Sequence, residues 1–270
     1  MSFLRETGRL LMKLGISPLL RIRQRDFVLR FYPSSISLVL WVNACRGITC
    51  FEEDERFYRR YLRAGDVVVD AGANIGFFSM LSAALVGPTG RVYAIEAHPK
   101  VAGYLRGNAA CNGFENVAIH AVALGEKEGM LRLSDQKRDD RNMVVAAGEG
   151  IEVPVKRLDA LGIEEERVAL LKIDVEGYEK YVLEGAGELL ERVDCLYFES
   201  CNVFFDEFGY RSSELFQLLL KQGFEIFRIE GERILAVSAE HQSEVCENLI
   251  AVREVGDFLE RTGFVIKETD

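Results

Sequence analysis

The chain has 270 residues, of which 49% are hydrophobic and 28% charged, and a net charge of −10. That composition can bury a large core, and it excludes disorder, collagen and coiled coil as the dominant state. The net acidity argues against nucleic acid as a partner, and the length fits one α/β domain with an extension as well as it fits two domains.

The first 30 residues run against the overall charge. They hold Arg5, Arg9, Lys13, Arg21, Arg23, Arg25 and Arg30 against Glu6 and Asp26, a basic arm on an acidic body. Leu4, Leu10, Leu11 and Leu14 can share one face of an amphipathic helix. Two readings of that helix stay open: docking on the protein's own domain, and peripheral contact with a membrane surface. Ile36 to Cys45 is apolar but about half the roughly 20 residues a membrane-crossing helix needs, so no transmembrane segment is predicted. Arg9 and Lys13 interrupt the apolar start, which argues against a signal peptide. A boundary near Arg63–Asp66 divides the expected organisation. Residues 1–62 form a basic extension suited to covering an acceptor, and 63–270 form the catalytic-sized domain.

From Asp66 onward, short apolar runs alternate with helical spacing. Val67-Val68-Val69 reads as a buried strand, and Ile75 to Val86 as a helix stopped by Gly87-Pro88. Arg91 to Ala97 is a second strand, and Pro99 opens a helix ending at Asn112-Gly113. Val117 to Leu124 is a third strand. Residues 125–150 break the rhythm with glycines and the charged run 137–141, and read as a hairpin-like piece followed by a loop. Val168 to Asp174 and Val193 to Phe198 are the fourth and fifth strands, each followed by a helix. Phe224–Ile229 and Asn248–Val252 then close the sheet as an antiparallel hairpin. The fold class is therefore α/β: a Rossmann-like, doubly wound, mostly parallel seven-stranded sheet.

The run Val67 to Ser79 (VVVDAGANIGFFS) places Asp70 at a strand end before a glycine-rich turn into a helix. Its G-x-N-x-G spacing is not the dinucleotide fingerprint G-x-G-x-x-G. Glu96 ends the second strand, where a carboxylate in such a sheet accepts ribose hydroxyls, a chemistry open to adenosine and NAD alike. With GRVYAIEAHP (Gly90 to Pro99), LLKIDVEGYE (Leu170 to Glu179) and the later Phe198-Glu199, the chain resembles the FkbM family of class I S-adenosylmethionine-dependent methyltransferases over about 190 residues. The resemblance implies that Asp70, Gly72, Asn74, Gly76 and Phe77 lie along the methionine part and ribose of S-adenosylmethionine. It implies that Glu96 holds the ribose, with Ala97, His98 and Ala123 near the adenine. Many class I members place an acid near the adenine edge; here the first one past the third strand is Glu126.

Asp174, Glu176 and Glu199 gather at the same strand-end edge and are the candidate catalytic acids. They could serve as general base or bind acceptor hydroxyls. Their oxygens also suit Mg²⁺ or Ca²⁺, but no metal ligand is assigned and metal-free chemistry is the first reading. Glu176 has the rival role of an N-terminal acid on the helix that follows, and Lys172 is expected to pair with one of these acids. His120 and His241 carry no such signal. The six cysteines form no C-x-x-C pair and read as small hydrophobes in a reducing, cytoplasmic compartment. The resemblance implies O-methylation of a hydroxyl on a sugar, glycolipid or natural product. The alternatives are an N-methyltransferase and a non-catalytic cofactor-binding protein. The acceptor pocket is expected to draw on the N-terminal arm and the 135–150 loop; the oligomeric state is unassigned.

Overall fold

The computed structural model describes residues 2–134, 143–145 and 150–267. The chain opens with α1 (Ser2–Lys13), a 3₁₀ turn (Ser17–Leu19), the hairpin β1 (Arg21–Arg23) and β2 (Val28–Arg30), α2 (Ser35–Cys45) and α3 (Glu52–Tyr61). The α/β alternation follows: β3 (Val67–Ala71), α4 (Phe77–Val86), β4 (Arg91–Ile95), α5 (Pro99–Asn112) and β5 (Val117–His120). Three short strands come next: β6 (Ala123–Leu124), β7 (Gly129–Leu133) and β8 (Ile151–Lys156). The remainder is β9 (Val168–Ile173), α6 (Glu179–Glu184), β10 (Val193–Ser200), α7 (Asn202–Phe205), α8 (Ser212–Lys221), β11 (Glu225–Glu230), β12 (Arg233–Ala236), β13 (Glu247–Val252), α9 (Val255–Thr262) and β14 (Val265–Ile266).

The main sheet runs β14-β12-β11-β13-β10-β9-β3-β4-β5, parallel from β10 to β5 and antiparallel where β13 and β11 join. Nine strands replace the seven expected. The supposed connection between the last two strands contains β12, which pairs with β11, and β14 adds to its free edge. Alternate residues of the central strands serve opposite faces. Val68 and Leu170 enter one apolar cluster, and Val69 and Leu171 the other. The predicted third strand also divides. Val117–His120 stays in the main sheet, while Ala123–Leu124 leaves it to pair with β8 in a separate three-stranded sheet.

The N-terminal region is stitched to the body rather than hung from it. The backbone N–H groups of Val28 and Arg30 donate to the side-chain carbonyls of Asn112 and Asn108 on α5, both at 2.8 Å. Ile22, Phe27, Leu29 and Phe31 share one buried cluster with Val68 and Leu170. The helix α1 packs on α2 through Gly8, where an added Cβ would lie 2.5 Å from Leu38 Cδ1. Cys201 and Cys246 are joined by a disulfide, so the small-hydrophobe reading is replaced for that pair. Positions 137–141 and 148 lie outside the described residues.

Candidate functional site

The carboxyl ends of β3, β4 and β9 meet at one edge of the parallel half, where such sheets leave a crevice for ligands. A cavity of about 260 Å³ opens there. The loop from β3 to α4 forms its floor. Gly72 takes φ +81° and Gly76 φ +92°, backbone conformations that cost an L side chain dearly. At Gly72 a Cβ would stand 1.8 Å from the Asp174 carbonyl oxygen, so the loop and the end of β9 can touch only through glycine. At Gly76 the Cβ would meet Leu105 Cδ1 at 2.3 Å, and Asn108 Nδ2 donates to the Ile75 carbonyl at 2.7 Å, fixing the loop on α5.

Strain collects at this cavity. Among the described residues, Phe51, Asn74 and Glu176 are the only non-glycine residues with positive φ, at +56°, +51° and +54°, and all three line it. Such backbone costs on the order of 1–3 kcal/mol per residue, and it is held where surrounding structure over-determines it. Here the Asn74 N–H donates to Glu96 Oε2 at 2.9 Å and the His98 N–H to Glu96 Oε1 at 2.8 Å. Burial pushes the Glu96 carboxyl up to about 7 despite those two bonds. Each Glu96 oxygen thus accepts one backbone N–H and keeps a second lone pair.

Lys172 joins the two loops. Its ammonium is buried 3.1 Å from Asp174 Oδ2 and 3.5 Å from Asp70 Oδ1, and lies 5.6 Å from the centre of the Phe78 ring. The two carboxylates hold it well above the ordinary lysine range against the opposing effect of burial. The sequence pointed to one acid partner; the structure supplies two. Asp70 also accepts from Ser79 Oγ at 2.5 Å and is 1% exposed, beneath the loop rather than on the cavity wall. The Asp174 side chain is 42% exposed and lines the cavity.

Of the residues named from sequence, Gly72, Asn74, Phe77, Glu96, Ala97, His98, Ala123, Asp174 and Glu176 line the cavity, whereas Asp70, Gly76 and Glu199 do not. Glu199 lies close enough to feel the Asp174 charge, and burial together with that charge raises its carboxyl to about 7. The helix-terminal role conceived for Glu176 belongs to Glu179, the acid in the first turn of α6. Glu179 Oε1 accepts the N–H groups of Val175 and Gly177 at 3.0 and 3.3 Å, and burial raises the carboxyl to about 8. His98 caps α5, its Nδ1 accepting the Lys100 N–H at 3.3 Å. Sequence reading did not single out Ile36 and Phe51 from the N-terminal region, or Leu131, Leu133, Met143 and Val144 from the small sheet and its loop, as individual wall residues. Among the described residues no group of three or more His, Cys, Asp and Glu could hold a metal ion.

The family model described as "Methyltransferase FkbM domain" matches residues 70–226. The chain belongs to the FkbM methyltransferase family. The 31-O-demethyl-FK506 methyltransferase FkbM of Streptomyces tacrolimicus is 34% identical over 186 residues, covering 54% of this chain and 71% of that protein. Protein-L-isoaspartate O-methyltransferases of Aeropyrum pernix and Methanothrix thermoacetophila are 44% and 35% identical over 63 and 95 residues. These matches cover 23% and 35% of this chain but only 24% and 43% of those enzymes, so less than half of either relative is spanned. Among solved structures, an S-adenosylmethionine-dependent methyltransferase from Aquifex aeolicus superposes with a TM-score of 0.45 at 17% identity, covering 76% of this chain and 90% of that one. The FkbM family is one of S-adenosylmethionine-dependent methyltransferases, so that cofactor is the one to hold against the cavity. The donor set fits that cofactor: a carboxylate able to accept a ribose diol at Glu96, a glycine turn open to close approach, and apolar walls from Ala97, Ala123 and Leu124.

Proposed function

We propose that the chain methylates a hydroxyl oxygen on a sugar, glycolipid or natural product. The observation that carries this reading is the station of Asp174. Of the two acids on Lys172 it alone lines the cavity, it follows β9 directly, and it sits against the cofactor loop at Gly72. Bound S-adenosylmethionine supplies a methyl group already activated by its sulfonium. What the chain adds is alignment of the acceptor oxygen and removal of its proton. Asp174 takes that proton, with Lys172 holding the carboxylate at 3.1 Å. Glu176, displayed on the rim by its left-handed backbone, binds further acceptor hydroxyls. Glu199 supports Asp174 from behind the wall. Asn74 and Glu96 seat the ribose, and Ala97, His98 and Ala123 flank the adenine. Residues 2–62 act as the cover of the acceptor side, contributing Ile36 and Phe51, over a catalytic domain from residue 63. The Streptomyces tacrolimicus relative, whose name specifies an O-demethyl substrate, supports an oxygen acceptor.

The test is turnover against a panel of alcohol and amine acceptors, read as S-adenosylhomocysteine. Alcohols are expected to react, and Asp174→Asn to lower kcat by about 100-fold or more with cofactor affinity within a few-fold by calorimetry. Turnover confined to amines, or unchanged in Asp174→Asn, overturns the proposal.

A further inference from the structure

The N-terminal region leaves in water what a protein of this size ordinarily buries. Phe3, Leu10, Leu14, Ile16, Leu19 and Leu20 are all exposed, Phe3 and Leu19 by more than three quarters. Phe3, Leu10 and Leu14 recur at spacings of seven and four residues and fall on one stripe of α1 and its extension. That stripe is not the one that holds the helix down. The docked side is marked by Gly8, pressed against Leu38 and Trp41, so α1 carries one apolar side inward and a second outward. Large apolar side chains exposed repeatedly along one helix stripe, and again just beyond it, point to an interaction site.

The charges around it say what kind. Arg5, Arg9, Lys13, Arg21, Arg23 and Arg25 are exposed, and none has an ion-pair partner among the described residues. Of the neighbouring acids, Glu6 is exposed and Asp26 is engaged by Arg59. The chain as a whole carries −10, so an anionic surface attracts this region and repels the remainder.

We infer that the surface formed by α1, the 3₁₀ turn and β1 docks on an anionic phospholipid bilayer, its leucines entering the headgroup boundary and its arginines meeting lipid phosphates. Aliphatic tips between cations suit a lipid interface, whereas single-stranded nucleic acid would call for stacking aromatics. A second copy would set one basic patch against another. The helix α2 connects this surface to the cavity: Val39 is exposed and Ile36, one turn earlier, lines the cavity wall. On the methyl-transfer reading, an acceptor with a lipid anchor could reach the site without leaving the interface; the docking itself does not rest on that reading.

The test is co-sedimentation of the full chain with vesicles of phosphatidylcholine alone and with about 30% phosphatidylglycerol added. Binding to the anionic vesicles is expected to be at least about 10-fold tighter and to weaken as salt rises. Arg9→Glu/Lys13→Glu is expected to remove it, and Leu10→Ser/Leu14→Ser to weaken it about 10-fold. Both variants are expected to keep the wild-type circular dichroism and cofactor affinity. Phe3→Ser, at the most exposed position of the stripe, serves if the leucine pair does not fold. Equal binding to both vesicle types, no binding, or binding unchanged in the variants overturns the inference. So does a concentration-dependent dimer that the leucine variants abolish.

Discussion

The two loops that meet at the cavity are built by the same device and put to different use. Each follows a parallel strand, each contains left-handed backbone, and each is held by a glutamate that accepts two backbone N–H groups. Glu96, just after β4, spends one oxygen on the Asn74 N–H of the loop after β3 and the other on the His98 N–H. In the loop after β9, Glu179 spends a single oxygen on both. The first arrangement uses both oxygens as acceptors and so favours the carboxylate form. The second tolerates a proton on the remaining oxygen. Burial raises both carboxyls, to about 7 and about 8, but only Glu96 lines the cavity. A raised carboxyl is therefore shared by both, and what separates them is the use of the two oxygens and the place of Glu96 on the cavity wall.

The largest effect is expected at the junction of the loops. Lys172→Met leaves Asp70 buried without its counter-charge, and should cost about 3–5 kcal/mol in chemical denaturation. Adding Asp70→Asn should restore much of it. A loss under about 1 kcal/mol would mean the two loops are not joined through this ammonium.

The next largest separates the glutamates. Glu96→Gln turns one acceptor into an amide donor facing a backbone N–H, and should weaken cofactor binding by about 10- to 100-fold, equivalent to roughly 1.4–2.8 kcal/mol. Glu179→Gln keeps the accepting oxygen, so its cofactor affinity should stay within about 3-fold and its stability within about 1 kcal/mol. Calorimetry and denaturation on both variants check the pair; equal losses would erase the distinction drawn between the loops.

Titration sharpens the same contrast. Both carboxyls lie above the ordinary glutamate value of 4.5, so the folded chain retains protons that the unfolded chain releases. Their contribution to stability is complete below about 4.5 and is lost as pH rises through about 7 and about 8, at up to roughly 1.4 kcal/mol per pH unit for each group. Glu179→Gln should flatten the upper part of that decline. With Glu96 as the proposed diol acceptor, cofactor affinity should run the other way and strengthen as pH rises through about 7, as the carboxylate forms. An affinity that is flat from pH 6 to 8 would remove Glu96 from that role.

The effect expected at Gly76→Ala falls on stability alone. The Cβ meets the end of a flexible leucine, and the residue must hold φ +92°; about 1–3 kcal/mol of stability is at stake. A loss on the scale of Lys172→Met would show that this glycine matters for more than helix packing.

Much of the parallel half was legible because its signals are local. Val67-Val68-Val69, the glycine turn and the Pro99 start of α5 each state their conformation within a few residues, and the motif spacing brought Glu96 and Asp174 to one edge. What escaped depends on partners far away in the chain. β12 and β14 are short and find their place only by pairing along the edge of the antiparallel half. Ala123–Leu124 continues an apolar run and departs from it because β8, some 30 residues later, offers another partner. Cys201 and Cys246 gave no spacing signal across 45 residues. The exchange of Glu176 for Glu179 as the helix-terminal acid turned on where α6 begins, a boundary that the Glu179 hydrogen bonds to Val175 and Gly177 define.

The sequence by itself determined the α/β alternation, the glycine loop and the family, because apolar periodicity and backbone demands at glycine are written into consecutive residues. The tertiary structure alone decided that Lys172 lies between two aspartates of which only one lines the cavity, and that Ile36 and Phe51 reach the cavity from the N-terminal region. It also decided that a basic arm on an acidic chain docks by one side and exposes the other. Which side of a residue ends in water is set by packing against segments distant in the chain, and no local pattern contains that information.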